Sequence, residues 1–457
     1  MSEIAKFLFG KDVPEAVNII KMTTPNERVL IEKGNFVLKI DCHDIPLTGE
    51  ISFRWVPDIM VAFEGTASSS FLNPLMSYNK QSIIELYLDG EKVADSTIPN
   101  VSYGSKMPLT ISGIADGHFI RGDKSIPTEK VTFSVPNFVE LFGEPIISKV
   151  GGQQKHYHGR IVLECDDYTL VLDKVHDYKE RKVSLKSNGG YLPMYSGELV
   201  SKKAALLWSQ IDPIFDCLSS FLSFLNGRRT AALFQQGKNG DETAWQDFTP
   251  REIDIYKPVE TWVIPNETEG LGLIWQNFFA LWKSKDDADF LTLAIHWYVE
   301  ANLQSGFIEG AIIKAQTALE LIYNWLLIEQ KKLLIGKDAE SISASNKIRL
   351  LLSQLQVSHQ VPDDLINLKT IIKDEIIDGP EAFVQIRNAI VHSKNKKRKN
   401  LMNMDIDVKF EALSLGIWYI ELSLLYILGY RGKYSNRTVM GFTTTDQEQT
   451  VPWAKKD

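Results

Sequence analysis

Ile83-Ile-Glu-Leu-Tyr-Leu-Asp-Gly90 is the stretch that first indicates the fold. Apolar and polar residues alternate along it up to an Asp-Gly pair, which is typical of a β-strand that ends in a tight hairpin turn. Similar segments, rich in β-branched and aromatic residues, occur at residues 28–32, 35–40, 50–56, 131–135 and 160–165. The chain from about residue 27 to 200 is therefore predicted to form an antiparallel sandwich or an open barrel.

After residue 270 the apolar residues follow a helical period instead. The predicted helices span residues 271–282, 286–303, 307–334, 345–356, 365–374, 380–393 and 404–428. The most lipophilic run, from Ala412 to Leu428, is interrupted by Glu421 and is short for a membrane span. We interpret it as a buried helix of a helical bundle, and no membrane partner is expected.

The predicted fold class is therefore α+β, with a β-rich N-terminal region followed by an all-α bundle. We divide the chain into four parts: a β-rich domain, a connecting helix with short strands that belongs to the N-terminal region, the bundle, and a loosely ordered polar tail. These parts cover residues 1–200, 201–265, 266–440 and 441–457, respectively.

The cellular compartment is indicated by the cysteines and by the N-terminus. Cys42, Cys165 and Cys217 lie far apart in the sequence and show no paired spacing. This argues for a reducing compartment and against a disulfide framework or a zinc knuckle. The first residues lack the long apolar core of a signal peptide. A cytoplasmic protein is expected.

The charge distribution indicates a basic surface within an acidic chain. The net charge is −8, and this deficit lies in the first 270 residues because residues 271–457 sum to zero. Residues 391–400 contain no acidic residue but five basic ones, namely Lys394, Lys396, Lys397, Arg398 and Lys399. Local charge rather than net charge governs binding to nucleic acid. A solvated loop would show the same composition.

Arg387-Asn-Ala-Ile-Val-His392 directly precedes this basic run and lies on a predicted helix. On a helical wheel, at about 100° per residue, four apolar residues fall within about 60° of Arg387. They are Phe383, Val384, Ile390 and Val391. An arginine within an apolar stripe is costly unless it is paired. Glu320, in another apolar helical segment, is a candidate partner, and a purely structural Arg–Glu ion pair is one interpretation of the two residues.

The spacing of Arg387, Asn388 and His392, late in a helical bundle, resembles the signature of the HEPN superfamily. An N-terminal β-rich region followed by such a bundle looks like the ApeA-type branch of prokaryotic defence proteins. The resemblance covers residues 311–437, including the closing segment at 429–437. For residues 1–265 it is one of architecture only.

The resemblance implies a metal-independent endoribonuclease that acts as a homodimer or higher oligomer and needs no cofactor. His392 would transfer protons, Arg387 would stabilise charge on the phosphorane, and Asn388 would position the histidine or the phosphate. Glu320 would hold Arg387. The basic residues at 394–399 would bind tRNA or mRNA through backbone phosphates. Such an enzyme would act as a toxin-like effector in antiviral (abortive-infection) defence.

The β-rich N-terminal domain would then sense a phage-derived trigger or restrain the nuclease. A non-catalytic HEPN protein, acting as a dimerisation module, a sensor or an antitoxin-like partner, is the alternative. His156 and His158 alternate along a predicted strand and could share a metal ion. Solvated histidines are the commoner case, so no metal site is expected.

Overall fold

The computed structural model describes residues 9–41, 43–71, 75, 83–104, 107–303, 307–373, 376–391, 404–441 and 444–454. The first strands are β1 (Val29–Ile40), β2 (His43–Arg54), β3 (Met60–Ala67), β4 (Ile84–Leu88), β5 (Glu91–Gly104) and β6 (Met107–Asp116). They close into an antiparallel barrel in the order β1-β2-β3-β6-β5-β4. The predicted barrel-like N-terminal region is therefore confirmed.

The barrel closes because apolar residues alternate along its strands. In β1, Phe36, Leu38 and Ile40 are buried while their neighbours are partly or fully exposed. Gly113 on β6 makes room for the ring of Phe63, since a Cβ at this glycine would lie 2.2 Å from Phe63 Cζ. The barrel interior is thus filled by side chains.

An eight-stranded sheet follows the barrel. Its strands are β7 (Ile120–Gly122), β8 (Lys130–Pro136), β9 (Glu144–Val150), β10 (Gln153–Glu164), β11 (Tyr168–Lys174), β12 (Pro193–Ser201), β13 (Leu233–Asn239) and β14 (Glu242–Asp247). They are arranged in the order β7-β14-β13-β8-β12-β11-β10-β9. Because β13 pairs with β8, the short strands predicted between residues 201 and 265 belong to the β-rich region.

Two helices accompany this sheet: α1 (Tyr178–Asn188) and α2 (Trp208–Asn226). The sequence did not predict α1, because only Tyr178 and Leu185 of its residues are buried and its helical period is weak. α2 is the connecting helix predicted within residues 201–265, and it ends at Asn226. Gly227 adopts a φ of 66°, the left-handed conformation that often ends a helix.

The C-terminal region is helical, as predicted. Its helices are α3 (Leu271–Trp282), α4 (Lys285–Asn302), α5 (Ile308–Tyr323), α6 (Gly336–Ser341), α7 (Ala344–Gln354), α8 (Ile366–Lys369), α9 (Gly379–Val391) and α10 (Ile406–Ile427). α5 is shorter than predicted because it continues as a π-helix over Asn324–Gln330. The helix predicted at 365–374 is reduced to the single turn of α8.

Helix α10 is long and apolar enough to cross a membrane, but most of it is buried inside the protein. Its Gly416 lies against Phe383 of α9, since a Cβ there would lie 2.4 Å from Phe383 Cε2. The interpretation of this segment as a buried bundle helix is confirmed. The apolar residues of α10 face other protein segments on nearly all sides, which explains their high density.

The polar tail is not a loose extension. Strand β15 (Lys433–Ser435) pairs with β16 (Glu448–Thr450). Val451 is fully buried, and Trp453 Nε1 donates a hydrogen bond to the Tyr430 carbonyl at 2.7 Å. For residues 444–454, the part of the tail that the structure describes together with residue 441, the prediction of loose order was therefore wrong. These few apolar residues anchor it although its composition is polar.

One continuous hydrophobic core joins the barrel, the sheet and the helices. The rings of Phe53 and Phe234 lie 4.8 Å apart between barrel and sheet, and those of Tyr168 and Phe279 lie 5.2 Å apart between sheet and α3. Edge-to-face aromatic contacts of this kind bury much area. The four predicted segments therefore share one core.

Ion pairs also connect the β-rich region to the helices. Glu300 of α4 accepts hydrogen bonds from Arg229 at 2.5 Å and from Lys314 of α5 at 2.6 Å. Burial raises the pKa of Glu300, but the bonds from Lys314 and Arg229 outweigh it and lower the pKa to about 2. Arg229 also pairs with Asp254 at 3.3 Å. Glu300 thus connects two consecutive helices, α4 and α5, to the segment that precedes β13.

Replacing Glu300 by glutamine is expected to reduce stability at pH 7 by about 3 kcal/mol, at roughly 1.4 kcal/mol per unit of pKa shift. The folded-state pKa is depressed, so this contribution is present above the ordinary glutamate pKa and is lost as pH falls from about 4.5 towards 2. Urea unfolding of the wild type and the variant between pH 7 and pH 3 measures their difference in free energy of unfolding, which should become smaller as the pH falls. A difference that does not change with pH would contradict a depressed pKa of Glu300.

Candidate active site

Helix α9, which carries Arg387, is fixed at its first turn. Asp378 accepts a hydrogen bond from the Glu381 amide at 3.0 Å and so caps the helix. The same carboxylate binds Arg349 of α7 through two bonds of 2.6 and 2.9 Å. Arg349 also reaches Glu381 at 3.2 Å. The orientation of α9 relative to α7 is therefore set by a bidentate ion pair.

Arg387 lies at the edge of the buried face of α9. Ala382, Phe383 and Ile386 are buried, whereas Arg387 is only partly buried and Val391 is exposed. Of the four residues that flank Arg387 on the wheel, Phe383 and Val384 are buried, Ile390 is partly buried and Val391 is exposed. The predicted apolar stripe is therefore buried only along the first part of the helix, and Arg387 lies where this buried part ends. A half-buried guanidinium is less costly and remains accessible.

The guanidinium of Arg387 has few partners among the residues that the structure describes. With these residues it makes one hydrogen bond, from Nη1 to Asn388 Oδ1 at 3.2 Å. Its Nε is buried and makes no hydrogen bond with any of them. Among the described residues it forms no ion pair within 4.0 Å. Asn388 therefore orients Arg387, and most of the guanidinium donors have no acceptor within the described ranges.

Glu320 does not hold Arg387. It is exposed on α5, and no ion pair joins it to Arg387 in the part of the chain that the structure describes. The predicted direct contact is absent because α5 buries Leu319 and Ile322 rather than Glu320. The alternative interpretation, a purely structural ion pair between Arg387 and Glu320, therefore does not hold either. Both charges instead act on Tyr323, the last residue of α5.

Tyr323 is a residue of this site that the sequence did not single out. Burial raises the pKa of its hydroxyl, Glu320 raises it further and Arg387 lowers it. Lys347 of α7 places Nζ 5.3 Å from the centroid of the Tyr323 ring. Tyr323 follows Glu320 by one helical turn, which was the one available signal. Nothing in the sequence pointed to Lys347.

The remaining predicted site residues lie outside the described residues. They are His392, Lys394, Lys396, Lys397, Arg398 and Lys399. The structure therefore brings together Arg387, Asn388 and, through Tyr323, Glu320. Within the described ranges there is no group of three or more His, Cys, Asp or Glu side chains placed to hold a metal ion.

A second polar cluster is buried beneath α10. Glu421 is fully buried and binds Arg437 through two bonds, at 2.5 and 2.9 Å. Tyr298 of α4 donates to Glu421 at 2.8 Å, and Arg437 donates to Asn302 at 3.0 Å. Neither charged side chain is accessible to a substrate, since Arg437 is only 5% exposed and Glu421 is not exposed at all. We therefore assign this cluster a structural role.

Two family models match the chain. The model of the YopA central domain covers residues 123–259, and that of the YopA C-terminal domain covers residues 284–448. The SPbeta prophage-derived uncharacterized protein YopA of Bacillus subtilis (strain 168) is 30% identical over 453 residues, which span 94% of this chain and 96% of that protein. The chain belongs to the YopA family. No solved structure matches it.

The boundaries of the two YopA domains follow the boundaries of the structural regions. The central domain contains the strands from β8 to β14 with α1 and α2, and the C-terminal domain extends from the start of α4 to the start of β16. Arg387, Asn388, Glu320 and Tyr323 all lie in the YopA C-terminal domain. The HEPN resemblance rests on the quoted residues alone, because both matching models are YopA domains.

Proposed function

We propose that this YopA-family chain is a metal-independent endoribonuclease of HEPN type, with its site on α9. The observation that carries the proposal is the state of Arg387: a half-buried guanidinium with a buried, unpartnered Nε and no carboxylate partner among the described residues. Most buried cations are neutralised. An arginine that is oriented by a neighbouring amide and has free donors can bind a phosphate group through the planar guanidinium.

The proposed chemistry uses the nucleophile that RNA carries. The 2′-oxygen attacks the adjacent phosphorus, its proton passes to a base, and the bond from phosphorus to the 5′-oxygen breaks as that oxygen takes up a proton. Arg387 stabilises the charge on the phosphorane, and Asn388 orients Arg387. His392 is assigned the proton transfer from the motif. The products are a 2′,3′-cyclic phosphate and a 5′-hydroxyl end.

Cytoplasmic location, a toxin-like role in antiviral defence and sensing or restraint by the barrel belong to the same proposal. The Bacillus relative is described as prophage-derived, which suits competition between phages.

Three apolar residues are exposed at the starts of α5 and α10, namely Phe307, Ile406 and Phe410. Lys409 binds Glu309 at 2.9 Å and so holds these two helix starts together. Such an apolar surface supports a homodimer. It equally favours the second candidate, a non-catalytic binding or dimerisation protein.

Purified protein incubated with labelled tRNA and mRNA in EDTA is expected to generate ends that carry a 2′,3′-cyclic phosphate. The same RNA methylated at its 2′-oxygens should remain intact, because it lacks the nucleophile. Gel electrophoresis with end-group analysis measures both. Light scattering on the same preparation gives the oligomeric state.

His392→Ala is the matched inactive control. The nuclease proposal fails if this variant cleaves as fast as the wild type. It also fails if the wild type cleaves no RNA in the presence of phage lysate as a source of trigger. In that second case, RNA or protein binding without cleavage would favour the non-catalytic candidate.

A further inference from the structure

Three helices of the C-terminal domain meet at Tyr323. Its ring, at the end of α5, is only 2% exposed, and Lys347 of α7 lies over that ring with Nζ 5.3 Å from the centroid. The three helices contact one another pairwise, and the positive charge of Arg387 on α9 lowers the pKa of the Tyr323 hydroxyl. Two cations from separate helices therefore belong to the cluster around this tyrosine, Lys347 over its ring and Arg387 through its charge.

Neither cation is neutralised by a carboxylate within the described ranges. Lys347 is partly buried and forms no ion pair there, and Arg387 forms none either. Arg349, two residues after Lys347, shows the contrast because Asp378 and Glu381 both bind it. Unlike Arg349, these two partly buried cations therefore keep their charge available for an anion that would complete the site.

The Tyr323 hydroxyl supplies a neutral donor to the same place. It makes no hydrogen bond with any residue that the structure describes. Burial raises the pKa of this hydroxyl, so the proton is retained near neutral pH and can be donated to an acceptor oxygen. A phosphate group offers several such oxygens together with negative charge.

We propose that Lys347 and Tyr323, together with Arg387, form a binding site for the phosphodiester backbone of single-stranded RNA. This inference rests on the proposed function and assigns its substrate contacts. The guanidinium takes the phosphate that reacts, the phenol donates to it, and Lys347 binds a neighbouring phosphate as a point charge. Glu320, exposed on the same helix, leaves the cluster with a net charge of +1 among these described side chains.

The test measures binding without cleavage. A short fluorescein-labelled RNA, methylated at every 2′-oxygen, is titrated with protein at increasing salt. Lys347→Met is expected to weaken binding and to reduce the slope of log K against log salt by about 0.7, the value for one phosphate contact on a single strand. Lys347→Arg should restore the slope. Tyr323→Phe keeps the buried ring and should weaken binding with the slope unchanged.

Lys186→Met is the matched control, because Lys186 is exposed on α1 in the β-rich region. It should retain the wild-type slope. With cleavable RNA, Lys347→Met should raise KM more than it lowers kcat. A merely structural lysine would instead lower the melting temperature and leave the salt slope unchanged.

The outcomes separate this inference from the proposed function. Cleavage by the wild type together with an unchanged slope in Lys347→Met overturns the inference alone. Binding without cleavage, weakened by Lys347→Met, overturns the nuclease and supports the site. Absence of RNA binding by the wild type overturns the inference. The inference is also overturned if polyglutamate, added at the same total charge, displaces the RNA and if its own binding is weakened by Lys347→Met to the same extent. The site would then bind an acidic protein.

Discussion

Arg437→Ala is expected to destabilise the protein by about 3–5 kcal/mol, the usual effect of removing one partner from a buried ion pair. Glu421 would remain in α10 with none of its surface exposed. It would keep the hydrogen bond from Tyr298 at 2.8 Å but lose both bonds from the guanidinium. A buried carboxylate with a single neutral donor is poorly compensated.

The loss should extend beyond the helices. Arg437 also donates to Asn302 of α4 at 3.0 Å and to the Glu260 carbonyl at 3.2 Å. Asn302 in turn donates to the Gly227 carbonyl at 2.9 Å. The cluster therefore connects the YopA C-terminal domain to the end of α2. We expect the two domains to unfold less cooperatively in the variant, which circular dichroism and tryptophan fluorescence would report as separate transitions.

Urea unfolding measures the free energy, and Arg431→Ala is the control. Arg431 lies on the same segment but is exposed, so its removal should change stability by less than about 0.5 kcal/mol. The paired variant Glu421→Leu with Arg437→Met should recover much of the loss, since replacing both charges removes the desolvation penalty. If Arg437→Ala and Arg431→Ala unfold at the same urea concentration, the cluster does not stabilise the fold.

Local sequence patterns predicted much of this architecture. Alternation in segments such as 35–40 predicted barrel strands, because one face of a strand is buried. The density of apolar residues in α10 predicted a buried helix. Helix α1 was missed because a polar helix buries little and leaves no apolar stripe. The polar tail was misjudged because a few residues, such as Val451, anchor it.

Contacts between elements could not be predicted. Glu421 was noted in the sequence, and Arg437 is the last residue of the segment 429–437, but their pairing depends on how the chain turns after α10. The same holds for Lys347 and Tyr323, which belong to helices whose packing no local pattern encodes. Arg387 shows the limit most clearly. A helical wheel gave its approximate face, but the wheel could not show that Arg387 lies at the end of the buried part of that face, or that α5 buries Leu319 and Ile322 instead of turning Glu320 towards it.

Arg387→Ala is expected to lower the rate of RNA cleavage by about 10²–10³-fold, the effect of removing one donor from a developing oxyanion. Arg387→Lys should recover only part of this rate, because an ammonium cannot donate two parallel hydrogen bonds to a phosphate. Single-turnover cleavage of labelled tRNA in EDTA measures these rates. Both variants should retain the wild-type melting temperature, since Arg387 contacts only Asn388 through a hydrogen bond in the described chain.

Stability and activity together decide whether Arg387 is catalytic. A structural arginine would behave like Arg437, whose removal costs free energy of unfolding whether or not RNA is present. Removal of a catalytic arginine would lower the rate of cleavage and leave the free energy of unfolding unchanged. It could even raise stability slightly, because the buried Nε has no hydrogen-bond partner among the described residues in the wild type. Equal cleavage by the wild type and Arg387→Ala would rule out the site on α9. A melting temperature reduced as far as in Arg437→Ala would make Arg387 a structural residue despite its HEPN-like spacing, because its loss of activity would then follow from unfolding.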